Sequence, residues 1–546
     1  MVKSNKKLGI REKLVEDQKE KKFNSTLKLI FGTSLFILIG VIISKIFSYL
    51  YKIIIARYFG ADIYGLYSLS LVIIGLFAAI SGLGLSEGIL RYISLYRGRY
   101  EKEKIRYVYR IAFKISFLTT ITAALILFLS AEFISLTFFK NKDLIIFLKV
   151  FSFLIPIWVF SIFFMNIMIA FEKVKQQTIL EKVLQSSAKL LFLLFFILIG
   201  IKTNAIIFSF FLGILVFLLS TYLYCKYKFS DIFLDYHLKN KEKKKILEGL
   251  VFYSIPIMLF WTVSSIFYWT DSLVIGFFKT TVEVGIYNVA IPLAALLTLA
   301  PELFIQLLFP IITKEYAKKN LGLIKKLSLQ IGKWIFIINL PFFFLMMFFP
   351  GTIISIFFGE SYLEAISPFR FLLIGNLFFS IFIISNKLLE MVGKPKILLM
   401  DLLLTGILNL VLNIVLIQKS YIFGIDNLNG INGAAIATTI SLILFNLLLL
   451  FHAKYYTSIV PLGKEFFRIF FISLIPIPLL FILKSIIQIT VFSIIVITVF
   501  FFLTYVLLLF LFKGLDKNDL IILKAIRDKF LTRVKNSSLK NVKDIS

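Results

Sequence analysis

Long apolar runs restrict the fold of this chain more than any other feature. A helix needs about 20 apolar residues to cross the hydrocarbon core of a membrane. Fourteen stretches meet this requirement, near residues 29–55, 63–85, 111–131, 145–170, 178–200, 204–224, 249–275, 284–312, 329–349, 365–390, 397–417, 431–451, 466–486 and 488–512. We therefore predict an all-α polytopic membrane protein with about 14 transmembrane helices.

Composition agrees with this class and excludes several kinds of site. Of the 546 residues, 59% are hydrophobic and 16% are charged, whereas a soluble domain carries about 25% charged residues. The basic arm at residues 1–26 precedes an apolar run too long for a signal peptide, so we expect that run to remain as the first span. The single cysteine, Cys225, leaves no disulfide or zinc pattern, and we predict no metal site. We place His237 and His452 in or beside loops, which excludes a histidine-based catalytic centre within the membrane.

Basic residues are unevenly distributed between alternate connections. One set of connections, which includes both termini, carries 44 Lys and Arg residues, and the other set carries seven. The positive-inside rule then predicts a multi-pass protein of the cytoplasmic membrane with both termini in the cytoplasm. The net charge of +30 is thus a topology signal and an attraction to anionic membrane lipids, and we predict no nucleic-acid partner.

A sequence repeat with an offset of 220 residues predicts two lobes. The stretch ARYFGADIYGLYSLSL (56–71) aligns with GFFKTTVEVGIYNVAI (276–291), so that Gly65 matches Gly285 and Tyr67 matches Tyr287. Segments 37–55 and 133–139 match 257–275 and 353–359 in the same register. The repeat unit contains six spans, an even number, so its copies are parallel and a pathway is expected between them. The two stretches are predicted outer turns, with the glycines in the turn or in close helix packing and the tyrosines at the outer membrane interface.

The predicted domain organisation follows from the spans and the repeat. It consists of a cytoplasmic basic arm (1–28), an N-lobe with spans 1–6 (29–225), a cytoplasmic basic linker (226–248), a C-lobe with spans 7–12 (249–453), spans 13–14 (454–512) and a cytoplasmic basic tail (513–546).

Two polar stripes lie at equivalent positions of the repeat. Residues four apart share a helical face, and the stripes consist of Glu181, Gln185 and Lys189 in span 5 and of Asp401, Thr405, Asn409 and Asn413 in span 11. Hydrogen bonding between helices within a lobe and lining of a cavity are both open interpretations.

Charged residues within the spans are candidates for function, because burying them in a membrane costs free energy. The basic candidates are Lys45, Lys52, Arg57, Lys149, Lys189 and Arg370. For Lys52 and Arg57 the alternative is snorkelling to the outer interface. The acidic candidates for a gate or for ion coupling are Asp271 and Glu302. We hypothesise that Asp271 pairs with Lys52 or Arg57 when the outer side is closed.

Several short segments, in this order and spacing, resemble the polysaccharide-biosynthesis flippases of the superfamily that also contains lipid II flippases and multidrug and toxin extrusion transporters. The segments are 56–71, TDSLVIGFFKTTVEVGIYNVA (270–290), FGESYLEAISPFRFL (358–372), VGKPK (392–396), LNLVLNIVLI (408–417) and GINGAAIATTIS (430–441). The resemblance implies two six-helix lobes around a central cavity plus two C-terminal helices. It also places Asp271, Gly285 and Tyr287 in a motif of spans 7 and 8.

The resemblance implies transport of a polyprenyl- or dolichyl-linked oligosaccharide to the outer leaflet by alternating access. No covalent step and no cofactor are expected, although H⁺ or Na⁺ coupling is compatible with the intramembrane acids. The expected partners are the lipid-linked substrate, membrane lipids and possible polysaccharide-assembly proteins. A phosphate-bearing head group prefers a cationic cavity, which the intramembrane Lys and Arg residues can supply.

Two alternatives stay open. A multidrug or cation antiporter of the same fold should place carboxylates deep in the N-lobe, whereas span 1 carries Lys45 and Lys52. A membrane glycosyltransferase or polymerase usually has a large extramembrane segment with acidic or histidine chemistry, and the span count leaves no connection longer than about 30 residues.

Overall fold

The computed structural model describes residues 2–418, 430–486 and 491–515, and within these ranges the side chains of 2–38, 307, 310, 484–486 and 491 are left out. The described part contains helices and no strand. Most of the predicted basic tail, residues 516–546, lies outside it.

The chain forms helices of very different lengths. In order they are α1 (Val2–Ser81), α2 (Leu85–Gly98), α3 (Lys102–Phe133), α4 (Leu144–Ser152), α5 (Leu154–Ala170), α6 (Val174–Thr178), α7 (Gln185–Leu198), α8 (Asn204–Lys228), α9 (Asn240–Phe278), α10 (Thr281–Ala294), α11 (Leu299–Ala317), α12 (Leu321–Phe348), α13 (Pro350–Phe357), α14 (Ile366–Met391), α15 (Pro395–Gln418), α16 (Gly430–Thr457), α17 (Lys464–Leu474), α18 (Ile477–Ile486) and α19 (Val491–Leu511). Two π-helical segments, Ile134–Phe138 and Ile179–Leu184, and three 3₁₀ segments, Ser230–Phe233, Ala295–Thr298 and Glu360–Ala365, complete the set.

The prediction of a polytopic all-α membrane protein is confirmed, while the count of fourteen spans stays a prediction. Among the described residues, 11 helices are long and apolar enough to cross a membrane, or 12 if the bent pair α4–α5 is one span. The count falls short partly because predicted spans 1 and 2 belong to one helix, α1. In addition, the π-helical segment Ile179–Leu184 divides predicted span 5.

The corner between spans 1 and 2 is sharper than the predicted turn. Gly60 alone interrupts α1, with φ 84° and ψ 175°, a backbone conformation that glycine adopts without a Cβ clash. In the second copy, α9 ends at Phe278, and Thr280 and Glu283 form a capping box at the start of α10. Following the positive-inside prediction, we call the end of the bundle that contains Gly60 the outer end and the end that contains α2 the inner end.

The helices form two groups, the N-lobe and the C-lobe, which contact each other through a few helices of each group. In the N-lobe α8 packs on α5 and α7, and in the C-lobe α16 packs on α14 and α15. The lobes contact each other mainly through α1, α2 and α3 on one side and α9, α10 and α11 on the other. Helices α17 and α19 pack on α12, at the side of the C-lobe. Contact through the first helices of each lobe leaves space between the lobes.

The helix break in predicted span 8 shapes that space. Pro292 lies inside α10 and has no N–H to donate to the carbonyl group four residues earlier, that of Asn288. The Asn288 carbonyl instead accepts a hydrogen bond from Tyr64 Oη of the N-lobe at 3.2 Å. The carbonyl of Pro292 accepts another from Tyr49 Oη at 3.1 Å. The break thus provides two backbone acceptors for the opposite lobe.

Candidate transport cavity

A cavity of about 590 Å³ lies between the lobes, lined by α1, α9, α10, α11, α14, α15 and α16. Its charged lining residues are Lys45, Lys52, Asp271 and Glu302. All four are candidates from the sequence, and the structure brings them into one space. Lys45 and Lys52 share a face of α1 because they are seven residues apart, while both acids come from the C-lobe.

Lys45 and Glu302 form an ion pair across the cavity. Lys45 Nζ lies 3.1 Å from Oε1 and 3.0 Å from Oε2 of Glu302. Thr298 Oγ1, one helical turn before Glu302, lies 3.2 Å from Oε1 and 2.8 Å from the backbone oxygen of Ala295. The side chains are 27% and 39% exposed, respectively, so the pair borders the open space. It joins α1 of the N-lobe to α11 of the C-lobe.

Lys52 and Lys189 are two further basic candidates on the N-lobe side. Lys52 lines the cavity, and no described carboxylate pairs with it. Lys189 Nζ lies 4.4 Å from the ring centroid of Phe210, and Lys189 is not among the residues that line the cavity. The stem of Lys189 packs on Gly213, where an added Cβ would lie 2.3 Å from Lys189 Cγ. A lysine that lines the cavity without a carboxylate partner, as Lys52 does, favours an anionic ligand.

Asp271 lies at the cavity wall but makes its hydrogen bonds within the C-lobe. Its carboxylate accepts from Tyr287 Oη, from Thr438 Oγ1 at 2.7 Å and from Asn413 Nδ2 at 2.9 Å. Asn409 Nδ2 also donates to Thr438 Oγ1 at 2.9 Å. The side-chain oxygens Oδ1 of Asn409 and Asn413 are buried and have no hydrogen-bond partner among the described residues. We call Asp271, Tyr287, Asn409, Asn413 and Thr438 the Asp271 cluster.

The hypothesised pairing of Asp271 with Lys52 or Arg57 is wrong for this structure. Asp271 is satisfied by donors from α10, α15 and α16. Arg57 does cross to the C-lobe, but its Nη2 donates to the backbone oxygens of Ser355 at 2.8 Å and Ile356 at 2.6 Å. These carbonyls lie in the last turn of α13, where the helix dipole favours a positive charge. Arg57 therefore makes a charge-assisted contact between the lobes at the outer end. Its partner is the carboxyl end of α13 and not the expected carboxylate of Asp271.

Close helix packing also closes the outer end. A Cβ on Gly65 would lie 1.8 Å from the backbone oxygen of Thr281, and a Cβ on Gly285 would lie 1.9 Å from that of Ala61. The packing role predicted for the two glycines is confirmed. The predicted interfacial position of Tyr67 and Tyr287 is wrong, because both rings are buried within the protein.

Other candidates lie away from the cavity. Lys149 Nζ lies 5.8 Å from the ring centroid of Phe128, and Arg370 Nε donates to the backbone oxygen of Met347 at 3.3 Å. Glu181 accepts hydrogen bonds from Gln177 and Lys182. Gln185 lies at the first position of α7 and is partly buried.

The span 11 stripe faces the interior of the C-lobe. Asp401 and Thr405 are buried, and Thr405 Oγ1 donates to the backbone oxygen of Asp401 at 2.7 Å. Asp401 Oδ2 lies 2.9 Å from His452 Nδ1. The placement of His452 in or beside a loop is therefore wrong, because it lies within α16. The residues of this stripe make their contacts within the C-lobe and do not line the cavity.

Sequence reasoning missed several uncharged residues of the cavity. Thr438, Asn376 and Tyr268 line it, and none is a candidate from charge or spacing. Thr438 lies in the GINGAAIATTIS segment of the family resemblance, which is the signal that could have identified it. Asn376 follows no pattern that separates it from other polar residues in the spans.

A cavity between two lobes of helices that are long and apolar enough to cross a membrane defines the class of the fold, a two-lobed polytopic membrane protein. Comparison with known proteins agrees. The family model described as "Polysaccharide biosynthesis protein" matches residues 32–315, more than half of the chain. The chain therefore belongs to the polysaccharide biosynthesis protein family. A second model, MatE, matches residues 256–415.

Two curated relatives and one solved structure are similar over parts of the chain. The chain is 26% identical to a probable low-salt glycan biosynthesis flippase, Agl15, of Haloferax volcanii, over 38% of this chain and 42% of the relative. It is 23% identical to a putative O-antigen transporter of Shigella flexneri, over 72% of this chain and 90% of the relative. The inward closed structure of the lipid II flippase MurJ superposes with a TM-score of 0.68 at 17% identity, covering 89% of this chain and 100% of MurJ. For two of the curated relatives that it matches, the chain spans only 37% and 42% of their length.

Proposed function

We propose that this protein is a flippase that moves a lipid-linked oligosaccharide from the inner to the outer leaflet of the cytoplasmic membrane by alternating access. The observation that carries the proposal is the cavity between the lobes with Lys45 and Lys52 on its N-lobe side. A phosphate or pyrophosphate group forms strong charge-assisted hydrogen bonds with such ammonium groups. The names of the Haloferax and Shigella relatives, a flippase and a transporter, support this function and a process without a covalent step.

Close contacts between the lobes lie at both ends of the cavity, which fits an occluded stage of the cycle. At the inner end, a Cβ on Gly84 or Gly88 would lie 2.3 or 2.4 Å from Ser254 of α9. Arg57 on α13 and the Gly65–Gly285 crossing close the outer end. The anionic head group would occupy the cavity, where hydroxyl and amide side chains such as Ser48 and Asn376 can bind sugars, while the lipid tail stays in the bilayer. Opening at the outer end requires the Arg57 contacts and the crossing to separate.

Coupling of transport to Na⁺ or H⁺ is part of the proposal, and we assign it to the Asp271 cluster. A buried carboxylate with two unpartnered amide oxygens nearby, those of Asn409 and Asn413, offers the oxygen ligands that a small hard cation prefers. The same carboxylate can instead take up a proton. Glu302 is a weaker candidate because Lys45 already neutralises it.

A multidrug or cation antiporter is the main competing function. The MatE match and the fold are compatible with it, but the charges lining the cavity favour an anionic substrate. An organic cation would meet Lys52 without a counter-ion, and both lining acids are already engaged. No relative named above is a glycosyltransferase or polymerase, the other alternative.

The experiment that tests the function is reconstitution of the full chain in liposomes with a polyprenyl-pyrophosphate oligosaccharide that carries a fluorophore on its sugar. Protein-dependent protection from, or exposure to, an impermeant quencher measures movement between leaflets. We expect the Lys52→Gln variant to flip at least about tenfold more slowly, because it loses a charge-assisted contact with the substrate. Lys149→Gln removes a matched cation outside the cavity and should stay within about twofold of the native rate. Absence of movement with the native protein, or equal slowing by Lys149→Gln, contradicts the proposal.

A further inference from the structure

The Lys45–Glu302 pair lies where an anionic head group would bind. It borders the cavity, with both carboxylate oxygens of Glu302 within 3.1 Å of Lys45 Nζ. One turn along α1 from Lys45, Tyr49 Oη donates to the backbone oxygen of Pro292, so the pair and this hydrogen bond both join the lobes. The other cation that lines the cavity, Lys52, has no carboxylate partner among the described residues. The two lysines are therefore in different electrostatic states.

We propose that Glu302 is a displaceable counter-ion: the phosphate group of the substrate replaces it on Lys45, and binding of the head group thereby releases the ion pair between the lobes. This inference rests on the proposed function and goes beyond it by assigning a competitive role to an acid. It also assigns the substrate a second anionic contact besides Lys52.

Three features of the pair support displacement. Both side chains are partly exposed to the cavity, and pairs of this kind contribute little net free energy, so a better ligand can replace the carboxylate. Thr298 Oγ1 lies 3.2 Å from Glu302 Oε1 and 2.8 Å from the backbone oxygen of Ala295, so its hydroxyl can turn from that backbone oxygen to the released carboxylate. A phosphate brings more negative charge to Lys45 than the carboxylate does.

The pair also has a consequence for the empty transporter. After the substrate has left, Glu302 can bind Lys45 again and bring α1 and α11 together. Glu302 thus acts as a positioning residue for the empty state and lowers the affinity for the head group, two effects that Lys45 alone cannot produce.

The test compares the two members of the pair in the detergent-solubilised full chain, with farnesyl pyrophosphate as the probe and farnesol as its uncharged counterpart. We expect Glu302→Gln to bind farnesyl pyrophosphate about two- to fivefold more tightly, because the competitor is lost, and Lys45→Gln to bind it more weakly by a similar factor. Farnesol binding should be unchanged in both. Glu248→Gln, which removes the acid of an exposed pair with Lys244 on α9, serves as the control and should bind like the native protein.

If Glu302 is displaced by the ligand, the two variants change the affinity for farnesyl pyrophosphate in opposite directions. If the pair has only a structural role, both variants lose affinity. Equal or weaker binding by Glu302→Gln overturns the inference. If Glu302→Gln does not fold, the K45E/E302K exchange retains both the pair and a cavity cation, and its affinity should stay within about threefold of the native value. A larger loss overturns the inference as well. Failure of the native protein to bind farnesyl pyrophosphate more tightly than farnesol would instead count against the proposed function.

Discussion

At the scale of single residues, the sequence predicts which charged side chains line the cavity better than it predicts their partners. Lys45, Lys52, Asp271 and Glu302 are recognisable because charged groups in membrane spans are rare and costly. Their partners depend on how each helix is rotated about its own axis. The sequence of a span that is apolar on all faces gives little information about this rotation. Asp271 therefore faces donors of its own lobe, although the sequence suggested a partner across the pathway.

The Asp271 cluster gives a prediction for single substitutions. If Na⁺ binds there, NaCl should stabilise the native protein relative to choline chloride, by about 1.4 kcal/mol at ten times the dissociation constant. Asp271→Asn should abolish this difference, because the only charged ligand of the cluster is lost. Thermal unfolding in detergent measures both values. Equal melting temperatures of the native protein in the two salts would rule out Na⁺ and leave the proton, which a pH-gradient-driven transport assay can test.

At the scale of elements, helix length and turns follow from the sequence, but helix irregularities do not. Thr280 and Glu283 match a recognisable capping pattern. The π-helical segment Ile179–Leu184 has the sequence ILEKVL. These residue types are common in α-helices, so composition does not predict a π-helix there. Packing against neighbouring helices decides such geometry. The Gly65–Gly285 crossing could be anticipated as close packing, but not as a contact between lobes.

The crossing gives a prediction at this scale. Gly65→Ala places a Cβ 1.8 Å from the backbone oxygen of Thr281, so the helices must separate, at a cost of about 1–3 kcal/mol. We expect a lower melting temperature and faster labelling, from the outer side, of a cysteine introduced at Ser48, which lines the cavity. Gly75→Ala is the matched control, because it lies in the same helix and an added Cβ there has nothing within 4 Å. Indistinguishable labelling of the two variants would show that the crossing does not close the outer end.

At the scale of the whole molecule, the sequence repeat predicts the two-lobed arrangement because each copy encodes a complete set of spans. It does not predict how the lobes approach each other, since that depends on the packing of α1 against α9 and α10. The helices after the repeat add to one side only, where Tyr505 Oη of α19 donates to the backbone oxygen of Ile337 in α12 at 3.2 Å.

The orientation of the whole molecule is testable with single cysteines in a background in which the buried Cys225 is replaced. Tyr100, between α2 and α3, is 92% exposed, and Lys140 lies between α3 and α4 at the other end of α3. The positive-inside rule predicts that an impermeant thiol reagent added outside intact cells labels Lys140→Cys but not Tyr100→Cys. The reverse pattern would invert the topology and, with it, the direction of transport that we propose.

The glycine crossing also bears on how such a chain arose. Gly65 approaches Thr281, and Gly285 approaches Ala61, two pairs that exchange under the 220-residue offset. Such reciprocal contacts are the mark of a symmetric homodimer, so the crossing has the form of an interface between two copies of an ancestral six-helix protein. The two halves of the present chain are no longer identical at this level of detail. Asp271 of the C-lobe corresponds to Tyr51 of the N-lobe, which hydrogen-bonds to Ser209, so the Asp271 cluster has no equivalent in the N-lobe.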